Sequence, residues 1–159
     1  TQQNQLAFAS KKPGRTQHIN LFALGRQGST DAVLADLPGY GYAKLSKSIR
    51  AKLSGIVTNY INESEELRFL FVLLDCRHAI QKIDLSFLIE LGKAEVPFAI
   101  IYTKADKLSK VALQNRLEEN SKVLLEYWEE LPMTFASSAE SGLGREEILS
   151  CIATILDRK

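Results

Sequence analysis

Apolar positions along the chain fall into short runs and helical stripes that alternate. Ile19–Leu24 and Ala32–Asp36 are short β-like runs, and "GRQGST" between them reads as a hairpin turn, which makes the pair antiparallel. "SKSIRAKLSGIVTNYI" places Ile49, Leu53, Ile56, Val57, Tyr60 and Ile61 at helical spacing, with Ser46 as its N-cap. "LRFLFVLLD" is a continuous apolar run of strand length, expected to be covered on both faces. A helix over Ile83–Leu91, closed by Gly92, leads to a second buried strand, "VPFAIIYT". Residues 109–130 predict one long amphipathic helix with Leu113, Leu117, Leu124 and Trp128 on one side. "PMTFASS" is a third short strand. Gly144 to Leu156 predicts a last helix with Ile148, Leu149, Ile152, Ile155 and Leu156 facing inward.

Strands that alternate with helices predict an α/β fold: a mostly parallel sheet with helices on both faces, plus one antiparallel hairpin. The 159 residues suit one domain. A net charge of +1 makes no global electrostatic case for nucleic acid or membrane. No apolar run reaches the roughly 20 residues of a bilayer span, and "TQQNQLAFASKK" lacks the pattern of a signal peptide. Cys76 and Cys151 sit in apolar-periodic segments and read as reduced core thiols.

The carboxyl ends of the predicted strands carry the chemistry. They read Asp36-Leu37-Pro38-Gly39, Asp75-Cys76-Arg77-His78, Thr103-Lys104-Ala105-Asp106 and Ser137-Ser138-Ala139. In an open α/β sheet these ends line one edge, where ligands bind. An ionised Asp only accepts hydrogen bonds and can take two at once. Guanine offers two adjacent donors, whereas adenine presents an acceptor at its ring N1. Asp106 would therefore select guanine, and pairing of that kind discriminates by ~10⁴. The aliphatic stem of Lys104 can cover one face of the base. The alternative for this motif is a helix N-cap at Asp106 with Lys104 in solvent. Backbone N–H groups of Ser137-Ser138-Ala139 could reach the guanine O6, or the segment could be a strand end with a serine cap. In Pro13-Gly14-Arg15-Thr16, the Thr16 hydroxyl could complete an octahedral Mg²⁺ shell that Asp36 holds through water. The Gly39 N–H could bond a terminal phosphate. Arg77 and His78 could contact RNA or fix the strand end, with the structural role favoured. Lys11, Lys12 and Arg15 form a small basic patch.

"KPGRTQHINLF", "DLPGYGYA", "LLDCRH", "TKADKL" and "SSAESGLG" together resemble the EngB family of bacterial ribosome-assembly GTPases. The resemblance runs from about Leu6 to the C-terminus and implies the P-loop GTPase (Ras-like) fold. It implies GTP and GDP binding, Mg²⁺, hydrolysis of GTP, and partnership with the large ribosomal subunit or its precursor. It also implies a link to cell division and septation, a cytoplasmic location and a monomer. Residue by residue, it implies a first switch at Gly14, Arg15, Thr16, Gln17 and His18, with Thr16 on Mg²⁺. The second switch falls on Asp36, Leu37, Pro38 and Gly39, with Asp36 on the same ion. Guanine recognition falls on Thr103, Lys104, Ala105 and Asp106, and the loop supporting the base on Ser137, Ser138 and Ala139.

The sequence departs from that family in one place: it contains no G-x-x-x-x-G-K-[ST], the loop whose backbone N–H groups and lysine cradle phosphates. The expectation is an N-terminally incomplete G domain over residues 1–159, lacking the first strand, phosphate loop and first helix, or one whose gap another chain fills. By itself such a chain would bind GTP hardly at all. Tyr40 stands where many small GTPases carry a water-orienting glutamine, so slow intrinsic hydrolysis is expected and no catalytic side chain is assigned. The alternatives are a nucleotide-independent ribosome-binding module, an inactive G-domain fragment, and an unrelated α/β domain with coincidental turns.

Overall fold

The computed structural model describes residues 19–25, 31–39 and 47–157. The expected loop within residues 1–18, the hairpin turn over 26–30 and the cap at Ser46 lie outside them. The chain divides into two compact units, Thr1–Glu66 and Leu67–Lys159.

In the first unit, strands β1 (Asn20–Leu24) and β2 (Ala32–Asp36) pair antiparallel, with Asn20 opposite Asp36 and Leu24 opposite Ala32. The predicted antiparallel pairing is present. Helix α1 (Lys47–Glu63) follows, with Val57 buried and Ile56, Tyr60 and Ile61 half-buried, as the 3.6-residue period requires.

The second unit is a three-stranded parallel sheet in the order β3-β4-β5. Its strands are β3 (Leu70–Asp75), β4 (Phe98–Thr103) and β5 (Met133–Ala136). Helix α2 (Lys82–Lys93) connects the first two strands, and α3 (Lys110–Leu124) the second and third. Helix α4 (Arg145–Asp157) follows β5. The central strand is covered on both faces: Ala99, Ile100, Ile101 and Tyr102 are consecutive and all buried. Val72, Leu74, Cys76, Leu88, Leu91 and Leu124 complete this core.

Four expectations are corrected. The run ending at Asp75 is not covered throughout. Val72 and Leu74 are buried, but Leu73, which the pleat turns to the other face, is 63% exposed. Among the described strands β3 pairs with β4 alone. Second, Gly92 does not close α2. The helix ends in a Schellman motif: Val96 N–H donates to Leu91 O and Glu95 N–H to Gly92 O. Glu95 takes the left-handed position at φ 53°. Gly92 instead gives room to Trp128, whose Nε1 would lie 3.3 Å from a Cβ added there. Third, α3 stops at Leu124, and its N-cap is Ser109, whose Oγ accepts from Ala112 N–H at 3.2 Å. Beyond its end the chain turns so that Trp128 meets the edge of Phe98, with ring centroids 6.4 Å apart. Fourth, α4 has a narrower apolar face than expected. Ile148, Ile152 and Ile155 are half-buried, but Leu149 and Leu156 are exposed.

Candidate functional site

Parallel register decides which motifs meet. Asp75 lies opposite Thr103, and Tyr102 opposite Ala136, so the ends of β3, β4 and β5 stand side by side. Three of the four strand-end motifs therefore share one edge of this sheet. Backbone bonds tie them further. Cys76 N–H donates to Thr103 O at 3.1 Å, Ser137 N–H to Tyr102 O at 2.8 Å, and Ala105 N–H to Ser137 O at 3.0 Å.

Thr103 is occupied by the scaffold, since its Oγ1 donates to Leu74 O at 3.1 Å and joins β4 to β3. Lys104 has φ 62° and ψ 33°, a left-handed conformation uncommon outside glycine. It opens a 3-10 turn, Ala105–Lys107, and so takes the cap position considered for Asp106. Nor is the Lys104 ammonium simply solvated: its Nζ lies 2.8 Å from Asp75 Oδ2. The Arg77 guanidinium grips the same carboxylate as a fork, Nε to Oδ1 at 2.9 Å and Nη2 to Oδ2 at 2.6 Å. Arg77 foremost, with Lys104 behind it, holds the Asp75 carboxyl well below the usual carboxylate range against the opposing effect of burial. Arg77 thus fixes the strand end, the structural role its sequence position suggested.

Asp106 is differently placed. Its Oδ1 accepts from Ser138 Oγ at 2.6 Å and its Oδ2 lies 2.8 Å from Lys107 Nζ. Lys107 first, then Ser138, lowers its pKa. A carboxylate has about four acceptor sites, so Asp106 keeps acceptor capacity for a ligand. Ser138 is 4% exposed, and its Oγ also accepts from Glu140 N–H and Ser141 N–H. The loop is closed by Ser138 N–H to Leu143 O and Gly142 N–H to Ser138 O. Among the described residues, Ala139 holds the one backbone N–H between Ser137 and Gly142 without an acceptor in the protein. Gly144 anchors the far side at φ 73°, where an added Cβ would collide with the Ala136 carbonyl oxygen.

Asn120 was not legible as part of this edge. It is 1% exposed, and its Oδ1 accepts from Ile80 N–H at 3.1 Å, pinning the segment that follows Asp75–His78. A lone polar residue inside an apolar helical stripe is the signal that could have found it. Burial pushes Tyr102 up to about 12.

Asp36 ends β2 in the other unit, exposed, with the Asn20 amide 3.4 Å from its Oδ2. Leu37 is half-buried, Pro38 is buried and Gly39 is exposed. Gly14, Arg15, Thr16, Gln17, His18 and Tyr40 lie outside the described residues. Among the described residues no group of three or more His, Cys, Asp or Glu side chains could hold a metal ion. Mg²⁺ asks for less, one or two hard oxygen donors with waters completing the shell, and the Asp36 carboxylate is such a donor. No helix among the described residues is long and apolar enough to cross a membrane.

Comparison with known proteins gives the class. Residues 1–104 match the family described as "50S ribosome-binding GTPase". The fold is that of the P-loop GTPases. Era, in a structure described as a complex with MgGDPNP and nucleotides of 16S ribosomal RNA, superposes with a TM-score of 0.73 at 18% identity, covering 95% of this chain and 48% of that one. A structure described as a probable GTP-binding protein engB gives 0.66 at 20% identity, covering 90% and 85%. Sequence narrows the class. The "Probable GTP-binding protein EngB" of Porphyromonas gingivalis is 50% identical over 155 residues, 98% of this chain and 75% of the relative. That of Flavobacterium psychrophilum is 43% identical over 153 residues, 96% and 73%. The chain belongs to the EngB family of GTP-binding proteins.

Proposed function

We propose that the ends of β4 and β5 bind the guanine of GTP and GDP, and that the protein hydrolyses GTP as a switch in large-ribosomal-subunit assembly. The observation that carries the guanine site is the Asp106–Ser138 bond. It holds a carboxylate with open acceptor capacity beside the free Ala139 N–H. That pair complements the two donors and the O6 acceptor of guanine and opposes adenine. Thr103, Ala105 and Ser137 hold the scaffold, and Lys104 lays its stem along the base. Asp36 through Gly39 and Gly14 through His18 form the switches, with Asp36 and Thr16 on Mg²⁺. When bound, that ion supplies neutralisation of phosphate charge. Large subunits, a link to division and septation, and a cytoplasmic place of action complete the reading. The family match supports the large-subunit partnership, and the relatives' names support GTP binding.

Competition titration of the full-length protein with GTP and ATP tests this. GTP should win by ~10⁴, and Asp106→Asn should abolish the preference. Equal affinity for both nucleotides in the unaltered protein would refute it. Tyr40→Phe should leave the hydrolysis rate nearly unchanged.

A further inference from the structure

Two carboxylates stand at neighbouring strand ends, and their hydrogen bonds divide their roles. Asp106 keeps acceptor capacity open. Asp75 keeps none: its Oδ1 accepts from Arg77 Nε at 2.9 Å and Arg77 N–H at 3.1 Å. Its Oδ2 accepts from Arg77 Nη2 at 2.6 Å and Lys104 Nζ at 2.8 Å. A saturated carboxylate has nothing to offer a ligand. Its effect must pass through the groups it holds.

Stability is a poor account of this arrangement. The side chains of Arg77 and Lys104 are 44% and 52% exposed, and ion pairs so open to water add little to folding. Direction is a better one. A lysine side chain is long and rotamer-rich. Here it is constrained at both ends, by the left-handed backbone at Lys104 and by the Asp75 carboxylate on the adjacent strand. Its methylene stem therefore spans from the end of β4 to the end of β3, an apolar strip on the edge where Asp106 opens. The bidentate Arg77 fork keeps the carboxylate from turning away.

We propose that Asp75, braced by Arg77, is a positioning residue for guanine recognition, holding the Lys104 stem in the place where it covers the base. This rests on the guanine site proposed above. Asp75 does not touch the nucleotide. It lowers the freedom that Lys104 would otherwise lose on binding.

A double-mutant cycle on the full-length protein, read by titration with a fluorescent GDP analogue, tests it. Asp75→Asn should weaken binding about tenfold, and Lys104→Ala by a similar factor. The two together should be no worse than Lys104→Ala within about twofold, because Asp75 acts only through the lysine. Arg77→Gln, a change at an exposed side chain, should give a smaller loss that also vanishes in the Lys104→Ala background. It carries the cycle should Asp75→Asn fold poorly. Unchanged affinity in Asp75→Asn and Arg77→Gln would overturn the proposal. So would a full loss that persists without Lys104, since that is the mark of a scaffold residue. Asp106→Asn separates the two levels. If guanine preference survives it, the site itself is wrong and Asp75 falls with it. If preference is lost while the cycle is additive, only the role of Asp75 fails.

Discussion

Ser138 Oγ donates a 2.6 Å hydrogen bond to Asp106 Oδ1, joining the loop after β5 to the turn after β4. The same buried hydroxyl accepts from two backbone amides of its own loop, Glu140 N–H and Ser141 N–H. Ser138→Ala leaves both amides without their acceptor. It should cost about 1–3 kcal/mol of stability, measured by denaturant unfolding. GDP affinity should fall with it. Stability and affinity both unchanged would show that the hydroxyl is idle.

Asp75 should shape the acid limb of stability. Arg77 and Lys104 hold its carboxyl well below the usual range in the folded state, whereas an unfolded Asp titrates near about 3.9. A depressed folded pKa gives stability that is fully present above the unfolded value and lost as pH falls towards the folded one. Because Arg77 and Lys104 are open to water, the stability gap between the protein and Asp75→Asn should be small, but it should be widest near neutral pH and shrink steadily below roughly pH 4. Urea unfolding between acid and neutral pH measures it. A gap that stays constant would contradict the geometry.

Glu95 occupies a backbone conformation that glycine adopts without strain. It is exposed, stands at φ 53° and closes the Schellman motif of α2. Glu95→Gly should raise stability by about 0.5–1 kcal/mol, because a side chain is disfavoured in the left-handed region. A lower thermal midpoint would count against this account of the helix end.

The two thiols should differ in reactivity. Both are free. Cys76 is fully buried, and burial pushes its pKa up, so thiolate is scarce and access is closed. Cys151 is half-buried, 3.6 Å from Met133 Sδ. A thiol reagent should label Cys151 in the folded protein and Cys76 only on unfolding. Equal rates would show that the β3 end opens readily.

Much of this fold is legible from periodicity. Apolar runs of strand length and helical stripes place β1 to β5 and α1 to α4, because burial selects one face of each element. Boundaries are less legible. Trp128 follows Leu124 at helical spacing, but α3 has already ended, and the indole packs against Gly92 and Phe98 instead. Gly92 has the composition of a stop, but what it supplies is space.

Sequence by itself determined the strand-end motifs and the family they resemble, because those residues are adjacent in the chain and their chemistry is local. Tertiary structure alone decided that Lys104 reaches Asp75, that Asp106 leans on Ser138 and that Asn120 holds Ile80. Such partners lie dozens of residues apart. They meet only because parallel register and helix packing bring the ends of β3, β4 and β5 to one edge.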